Sequence, residues 1–235
     1  MQRSLVGSEM CIRDRDKLRG MFGFAVWNEK EQTLMLARDF FGIKPVYYAE
    51  IDGHFVFASE IKSILAFPGY ERKVNQKALE QYLSFQYAPL EETFFKGIYK
   101  LMPGHMLLYK NGNYEIKTYF KTKLTPGKWN RKTNMDQLRS QLAEILRDSV
   151  KHHMLSDVEV GAFLSGGVDS GYLASASGAD QAFTVGFDEG DRYSEVNKAA
   201  KVAEKASLKH HVKIISKQEF WDALPDVMYL SLIHI

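Results

Sequence analysis

The stretch from residue 160 to residue 170 constrains the fold of this chain more than any other. An apolar run ends in Ser165, Gly166 and Gly167, and a helix-compatible segment of small residues begins at Ser170. This order predicts a buried strand, a tight turn and the N-terminus of a helix. Adjacent glycines let the backbone approach a ligand closely, and the N–H groups of a helix start favour an anion. We therefore predict a phosphate-binding turn.

The residues around the glycine pair indicate which kind of phosphate site this is. Ser165, Asp169 and Ser170 place two hydroxyls and a carboxylate around the turn. The pattern G-x-x-x-x-G-K-[ST] and the dinucleotide pattern G-x-G-x-x-G are both absent. The S-G-G-x-D-S pattern resembles the pyrophosphate loop of ATP pyrophosphatases, which activate a carboxylate or carbonyl as an adenylate. The alternative is an ordinary Gly-Gly turn that binds nothing.

Composition narrows the classes of partner. The 235 residues suffice for two domains with cores of their own. A net charge of +2 does not indicate nucleic acid, and no apolar run has the length of a membrane span. The single cysteine, Cys11, excludes an internal disulfide framework and fits a reducing compartment such as the cytoplasm.

The first part of the chain is predicted to contain mostly antiparallel strands with short helices. Pairs of apolar runs flank turn residues in three places, which is typical of hairpins. The strand pairs are Met21–Trp27 with Thr33–Arg38, Val46–Ile51 with His54–Ala58, and Leu107–Tyr109 with Tyr114–Tyr119. The predicted helices are one capped by Ser59 and running to Phe67, and one at Val74–Phe85.

After a predicted linker at residues 121–133, the pattern changes to helices alternating with strands. A long amphipathic helix is predicted from Asn134 to about Met154, with its apolar stripe facing a core. The alternation that follows predicts a parallel sheet with crossover helices. Its strands are Val158–Leu164, Phe183–Phe187 and His211–Ile215, and its helices are Ser170–Ser177, Ser194–Ala206 and one that Ser216 and Glu219 start as a capping box. Ligands of such sheets bind beyond the carboxyl ends of the strands, where the glycine turn falls.

The ends of the chain look different from the rest. Residues 1–15 resemble translated sequencing adapter, and residues 231–235 are similar in kind. We expect an artificial leader and an artificial tail; the alternative is a natural, mobile terminus.

Several motifs in order resemble glutamine-hydrolysing asparagine synthetase. They lie at Leu18–Ala25, Ala37–Tyr48, Ala58–Lys62, Leu101–His105 and Asp157–Ser170. The resemblance implies a fragment truncated at both ends, which we expect to be inactive alone. It also implies a partial α+β glutaminase domain of the N-terminal-nucleophile type at residues 16–120. A partial α/β ATP pyrophosphatase domain, with a parallel sheet, is implied at residues 134–230.

The resemblance assigns few residues in the glutaminase part. In the family, a cysteine directly after the initiator methionine attacks the glutamine amide and frees ammonia. Here Gln2 takes that place, and Cys11 lies in no recognisable family context, so no catalytic residue is assigned. Asp39 matches the aspartate that binds the α-amino group of glutamine. The alternative for Asp39 is a loop-capping role.

The synthetase part carries the implied nucleotide site. With ATP and Mg²⁺, the family converts aspartate to a β-aspartyl-adenylate, which ammonia attacks, so that AMP and pyrophosphate are released. The resemblance assigns ATP binding to Leu164, Ser165, Gly166, Gly167, Asp169, Ser170 and Val185. Leu164 and Val185 would act through their backbones near the adenine. Asp169 could orient the loop or assist magnesium, and no metal ligand is assigned.

The implied function is therefore that of a carbon–nitrogen ligase that uses glutamine as amido donor. Its partners would be small molecules (glutamine, aspartate and ATP), with neither nucleic acid nor a membrane, and the resemblance is compatible with a homodimer of the full-length parent. Two alternatives stay open: another pyrophosphate-loop amide ligase, such as a β-lactam synthetase, and a non-catalytic relative. The adjacent pairs His152-His153 and His210-His211 do not share a face and do not predict a metal site.

Overall fold

The computed structural model describes residues 18–123, 134–188 and 195–230, which divide into two compact units on either side of residues 124–133. The predicted leader at residues 1–15, with Gln2 and Cys11, and the predicted tail at residues 231–235 lie outside these ranges. So does most of the predicted linker at residues 121–133.

The first unit contains two antiparallel sheets. One has four strands in the order β1-β2-β6-β7, and the other has three in the order β4-β3-β5. The strands are β1 (Gly23–Asn28), β2 (Thr33–Arg38), β3 (Tyr47–Ile51), β4 (His54–Ala58), β5 (Ile98–Lys100), β6 (His105–Lys110) and β7 (Asn113–Thr118). The three predicted hairpins are confirmed. The three-residue β5 was not predicted, because so short a run carries no period.

Two helices accompany these sheets, α1 (Ile61–Leu65) and α2 (Gln76–Phe85). The prediction that Ser59 caps α1 is wrong: Glu60 is the residue before the helix, and it makes no side-chain capping bond. Helix α2 begins two residues later than predicted, because the side chain of Asn75 accepts the N–H of Ala78 and sets its start.

Strand β3 is central to the core of the first unit because it is buried on both faces. Tyr47, Ala49 and Ile51 pack in a cluster with Ile61 and Ile64 of α1. Tyr48, which points to the opposite face, belongs to a second cluster that includes the fully buried Leu36, Leu101 and Leu107. Successive side chains of a strand point to opposite faces, so one strand serves both clusters.

The second unit contains a three-stranded parallel sheet in the order β10-β9-β8. Its elements are α3 (Met135–His153), β8 (Gly161–Phe163), α4 (Val168–Ser177), β9 (Gln181–Phe187), α5 (Val196–Lys205), β10 (Lys209–Ile215) and α6 (Lys217–Leu230). Strand–helix alternation thus predicted the pairing correctly. Strand β8 is shorter than the predicted Val158–Leu164, because its pairing with β9 begins only at Gly161. None of the helices in the described ranges has the length and apolar character that crossing a membrane requires.

One face of the parallel sheet is covered and the other is open within the described part of the chain. Along β9, Ala182 and Thr184 are buried, whereas Phe183 and Val185 are 40% and 53% exposed. Helices α4 and α5 lie against the covered face. Their contact residues are small, Ala174, Ala199 and Ala203, so the helices approach the sheet closely.

The flanking helices agree only in part with their predicted roles. In α3, Val150 is buried, but Leu142 and Ile145 are exposed, so the predicted apolar stripe is covered only near the C-terminus. The predicted capping box of α6 is confirmed. The N–H of Glu219 donates to Ser216 Oγ at 3.1 Å, and the N–H of Ser216 donates to Glu219 Oε2 at 2.9 Å. This backbone hydrogen bond from Ser216 lowers the pKa of the Glu219 carboxyl.

Candidate nucleotide-binding site

The glycine turn connects the carboxyl end of β8 to the N-terminus of α4. The N–H of Leu164 donates to the carbonyl of Phe183 at 2.9 Å and extends the pairing with β9 by one residue. The N–H of Gly171 donates to the carbonyl of Gly167 at 2.9 Å and opens the helix. Within the described residues, the three N–H groups of residues 168–170 have no acceptor. They are thus available to an anion at the positive end of the helix dipole.

The two glycines of the turn have different constraints. Gly166 has a φ of +77°, and a Cβ added there would come within 2.7 Å of Lys198 Cβ and 2.9 Å of the Ala199 nitrogen. A side chain at Gly166 would therefore collide with the start of α5. Gly167 has a φ of −75°, and an added Cβ there would make only ordinary contacts, the nearest at 3.4 Å from Ser165 Oγ. Gly166 is needed for packing, whereas a Cβ at Gly167 would fit without a clash.

Two hydroxyls face each other across the turn. Ser165 Oγ lies 2.9 Å from Ser170 Oγ, and the N–H of Ser165 donates to Ser170 Oγ at 3.3 Å. The hydroxyl of Ser170 donates to the Gly167 carbonyl at 3.3 Å, so the Ser165 hydroxyl is the donor of the pair. Each hydroxyl thus has an acceptor within the turn, and either can rotate toward a phosphate oxygen.

A cavity of about 390 Å³ lies beside the turn. Its apolar lining comes from the strands, mainly Phe163, Phe183, Val185 and Phe187, and its polar lining from Ser165, Ser170, Thr184 and Glu195. Aromatic and aliphatic side chains beside a few convergent polar groups are typical of a small-molecule site.

The structure brings most of the predicted nucleotide-site residues together. Leu164, Ser165, Ser170 and Val185 line the cavity, and the two glycines form the turn beside it. The side chain of Leu164 is buried under the helices, so only its backbone can face a ligand. Asp169 lies in the first turn of α4 and is exposed, but it is not among the lining residues.

Sequence reasoning missed five of the lining residues: the aromatic Phe163, Phe183 and Phe187, and the polar Glu195 and Thr184. Glu195 directly precedes α5, and its position beside the turn is visible only in the folded structure. Thr184 is 5% exposed and donates its hydroxyl to the Leu164 carbonyl at 2.6 Å. Its position in the middle of a predicted strand was visible in the sequence, but its partner was not. No group of three or more potential metal ligands occurs among the described residues.

Asp39, in the first unit, is buried and contacts backbone groups of its own loop. It is 1% exposed, and its carboxylate accepts four backbone N–H groups. Oδ1 accepts from Phe41 at 3.1 Å and Ile43 at 3.0 Å, and Oδ2 accepts from Lys44 at 2.9 Å and Phe22 at 3.3 Å. These contacts give Asp39 the role of a loop cap, and binding of the glutamine α-amino group stays a prediction for the same carboxylate.

Arg38 fixes the same loop from the other side. Its guanidinium donates to the carbonyls of Lys44, Leu101 and Gly42, at 2.9, 2.7 and 2.7 Å. Burial lowers the pKa of this guanidinium, and the charge of Asp39 opposes that shift in part. Adjacent residues of opposite charge thus hold the loop after β2 entirely through backbone groups.

Comparison with known proteins gives matches for both units. Residues 6–120 match the glutamine amidotransferase domain family, and residues 141–232 match the asparagine synthase family. The glutamine-hydrolysing asparagine synthetases 1, 2 and 3 of Bacillus subtilis (strain 168) are similar to the chain at 38%, 38% and 28% identity. The alignments cover 91%, 72% and 95% of this chain and 34%, 24% and 38% of the respective relatives. The chain therefore spans about a third of the length of the curated relatives that it matches.

Proposed function

The chain belongs to the glutamine-hydrolysing asparagine synthetase family, and on this premise we propose that its second unit binds the triphosphate of ATP. The observation that carries this proposal is the glycine turn at the carboxyl end of β8, beside a cavity with an apolar lining. The protein as a whole would carry out glutamine- and ATP-dependent amidation of aspartate, as a carbon–nitrogen ligase. The names of the relatives do not favour a β-lactam synthetase.

The proposed binding mode uses the groups that the turn leaves available. The β- and γ-phosphates would accept the N–H groups of residues 168–170, and the hydroxyls of Ser165 and Ser170 would rotate from each other toward the phosphate oxygens. Gly167 offers no side chain in the way. The adenine would lie along the apolar side of the cavity, near the backbones of Leu164 and Val185.

The chemistry that this geometry suits is formation of an acyl-adenylate. An oxygen of the aspartate β-carboxylate would bond to the α-phosphorus, and the bond from that phosphorus to the bridging oxygen would break. Its electron pair would leave with pyrophosphate. The charge that develops on pyrophosphate would meet fixed N–H dipoles that need no reorganisation. Ammonia would then displace AMP from the β-carbonyl carbon.

Mg²⁺ fits a site with few protein ligands. It prefers one or two carboxylates together with phosphate oxygens, and Asp169 is the exposed carboxylate on the first turn of α4. Bound there, it would neutralise part of the phosphate charge. Asp169 would hold the ion or orient the turn.

For the first unit we propose a partial glutaminase of the N-terminal-nucleophile type at residues 16–120, joined by residues 121–133 to a partial ATP pyrophosphatase domain at residues 134–230. We assign no nucleophile to the chain, and Asp39, which caps the loop after β2, stays the proposed ligand of the glutamine α-amino group. A cytoplasmic location and a homodimer of the full-length parent belong to the same proposal.

Titration of the chain with ATP and Mg²⁺ in a calorimeter tests the binding proposal. Each lost hydroxyl contact to a phosphate is expected to weaken binding by roughly tenfold in Ser165→Ala and Ser170→Ala. Ser175→Ala is the matched control, because the Ser175 hydroxyl donates to the Gly171 carbonyl inside α4, away from the cavity. Equal affinities in all three variants would refute the assigned turn.

In the full-length parent, Asp169→Ala is expected to abolish most aspartate-dependent exchange between ATP and pyrophosphate while glutamine hydrolysis continues. Unchanged exchange would contradict a role for this carboxylate. Loss of both activities would instead indicate misfolding, and the circular dichroism spectrum of the variant would show it.

A further inference from the structure

A buried hydrogen-bond chain links the glycine turn to the third strand of the parallel sheet. Thr184 lies inside β9, and its hydroxyl donates at 2.6 Å to the carbonyl of Leu164, the residue directly before Ser165. The same oxygen, Thr184 Oγ1, lies 2.7 Å from Nε2 of His210 in β10. The chain His210–Thr184–Leu164 therefore crosses all three strands and ends where the turn begins.

Counting hydrogens fixes the direction of this chain. A threonine hydroxyl has one hydrogen, and a carbonyl oxygen can only accept, so the hydrogen of Thr184 goes to Leu164. Nε2 of His210 must then donate to Thr184 Oγ1. The ring consequently carries a hydrogen on Nε2, as the neutral Nε2–H tautomer or as the imidazolium. In the other neutral tautomer, Nε2 would accept and would compete with Leu164 for the same hydrogen.

The last residue before the turn is held at both of its peptide groups. The N–H of Leu164 donates to Phe183, and its carbonyl accepts from Thr184. The next peptide group begins Ser165, so its orientation is set before any ligand arrives. A site whose groups are already oriented loses less conformational freedom on binding.

We propose that His210 is a positioning residue of the turn, which acts through Thr184 and does not touch the ligand. The proposal rests on the nucleotide-binding function proposed above for what the turn binds. His210 points to the covered face of β10, together with Thr184 of β9, because the register pairs His210 with Ala182 and Val212 with Thr184. The neighbouring His211 lies on the open face, where it stacks on Phe183 with ring centroids 5.0 Å apart. The two histidines thus lie on opposite faces of the sheet and have different contacts, His210 with Thr184 and His211 with Phe183.

The first test needs no nucleotide. Long-range ¹H–¹⁵N spectra of the whole chain, labelled on histidine, report which ring nitrogen carries hydrogen, and His210→Gln identifies the His210 signals by their loss. We expect a hydrogen on Nε2 of His210. A neutral ring with a bare Nε2 would overturn the proposal.

The second test is a double-mutant cycle on pyrophosphate binding in the presence of Mg²⁺. Thr184→Val and His210→Leu are each expected to weaken binding about fivefold, the effect of one lost hydrogen bond. Because both break one chain, the double variant should bind about as well as the weaker single variant. Thr184→Ser and His210→Gln keep a hydroxyl and an N–H donor, so they should stay within about twofold of the wild type. Independent, multiplying losses would overturn the proposal, as would a loss in Thr184→Ser equal to that in Thr184→Val.

The two proposals can fail separately. A wild-type chain that does not bind pyrophosphate would refute the proposed function. The amide resonance of Ser165 then tests the positioning role of His210. Relative to the wild type, this resonance should shift in both Thr184→Val and His210→Leu, and it should shift much less in His210→Gln. An unchanged Ser165 chemical shift in His210→Leu would overturn the positioning role.

Discussion

Replacing Asp39 by asparagine separates the two roles that this residue could have. If Asp39 organises the loop after β2, the substitution should destabilise the first unit. If it only bound the α-amino group of glutamine, stability should be unchanged. The structure favours the first result, because the side chain is buried and accepts four N–H groups.

The size of the effect follows from the geometry of the carboxylate. Asparagine keeps one oxygen, which can accept from two of the four donors. Its NH₂ group replaces the other oxygen and faces two N–H donors, whichever way the amide is turned. A buried donor without an acceptor costs about 1–3 kcal/mol. These groups are partly buried, so we expect roughly 2–4 kcal/mol in total. For a unit of this size, each kcal/mol lowers the unfolding midpoint by roughly 4–8 °C.

Thermal and urea unfolding of Asp39→Asn would measure this loss. Asp52→Asn is the matched control, since Asp52 is exposed in the β3–β4 turn with a φ of +47°, which asparagine adopts equally well. The control should stay within about 0.5 kcal/mol of the wild type. An Asp39→Asn variant as stable as the control would refute the loop-capping argument and leave glutamine binding as the remaining prediction for this residue.

Two further predictions concern the second and first units in turn. Gly166→Ala should lower the free energy of unfolding of the second unit, measured in urea, by roughly 2–4 kcal/mol, because it adds left-handed backbone strain to a close contact with α5. Gly167→Ala, the control, should lower it by less than about 1 kcal/mol. Equal unfolding midpoints in the two variants would contradict the packing assigned to Gly166. Burial raises the pKa of Tyr119 to about 12, whereas a free tyrosine has a pKa of roughly 10. The protonated hydroxyl therefore stabilises the fold below about pH 10, and this stabilisation is lost as the pH rises toward 12. Absorbance at 295 nm should show one tyrosine fewer titrating near pH 12 in Tyr119→Phe, and an identical titration curve would contradict the assignment.

The parts that sequence predicted well depend on neighbours along the chain. Hairpins follow from two apolar runs around a turn, and the parallel sheet follows from the alternation of strands and helices. The glycine turn could be placed because glycine, serine and aspartate have strong local preferences. The prediction that Ser59 caps α1 also rested on a local residue preference, and it was wrong by one residue, because Glu60 precedes the helix. The exact ends of helices are the part of such a prediction that errs most often.

The parts that sequence could not predict depend on register between distant segments. Thr184 and His210 meet because β9 and β10 pair His210 with Ala182, two residues before Thr184. A shift of one residue would turn His210 to the open face. Asp39 could be read as a substrate ligand or as a loop cap, since both roles need a carboxylate. Its four N–H contacts show the loop-capping role, and they could not be seen in the sequence.

The two faces of the parallel sheet contribute differently to the proposed site. On the covered face, small residues let α4 and α5 come close, Gly166 fits against α5, and Thr184 holds Leu164. On the open face, the alternate residues of β9 line the cavity. The period of two along β9 thus places Phe183 and Val185 on the open face, whereas Thr184, which also lines the cavity, holds Leu164 from the covered face. It follows that a substitution at Val185 should change selectivity among nucleotide bases with little effect on pyrophosphate binding, whereas a substitution at Thr184 should weaken binding of pyrophosphate and of every nucleoside triphosphate alike.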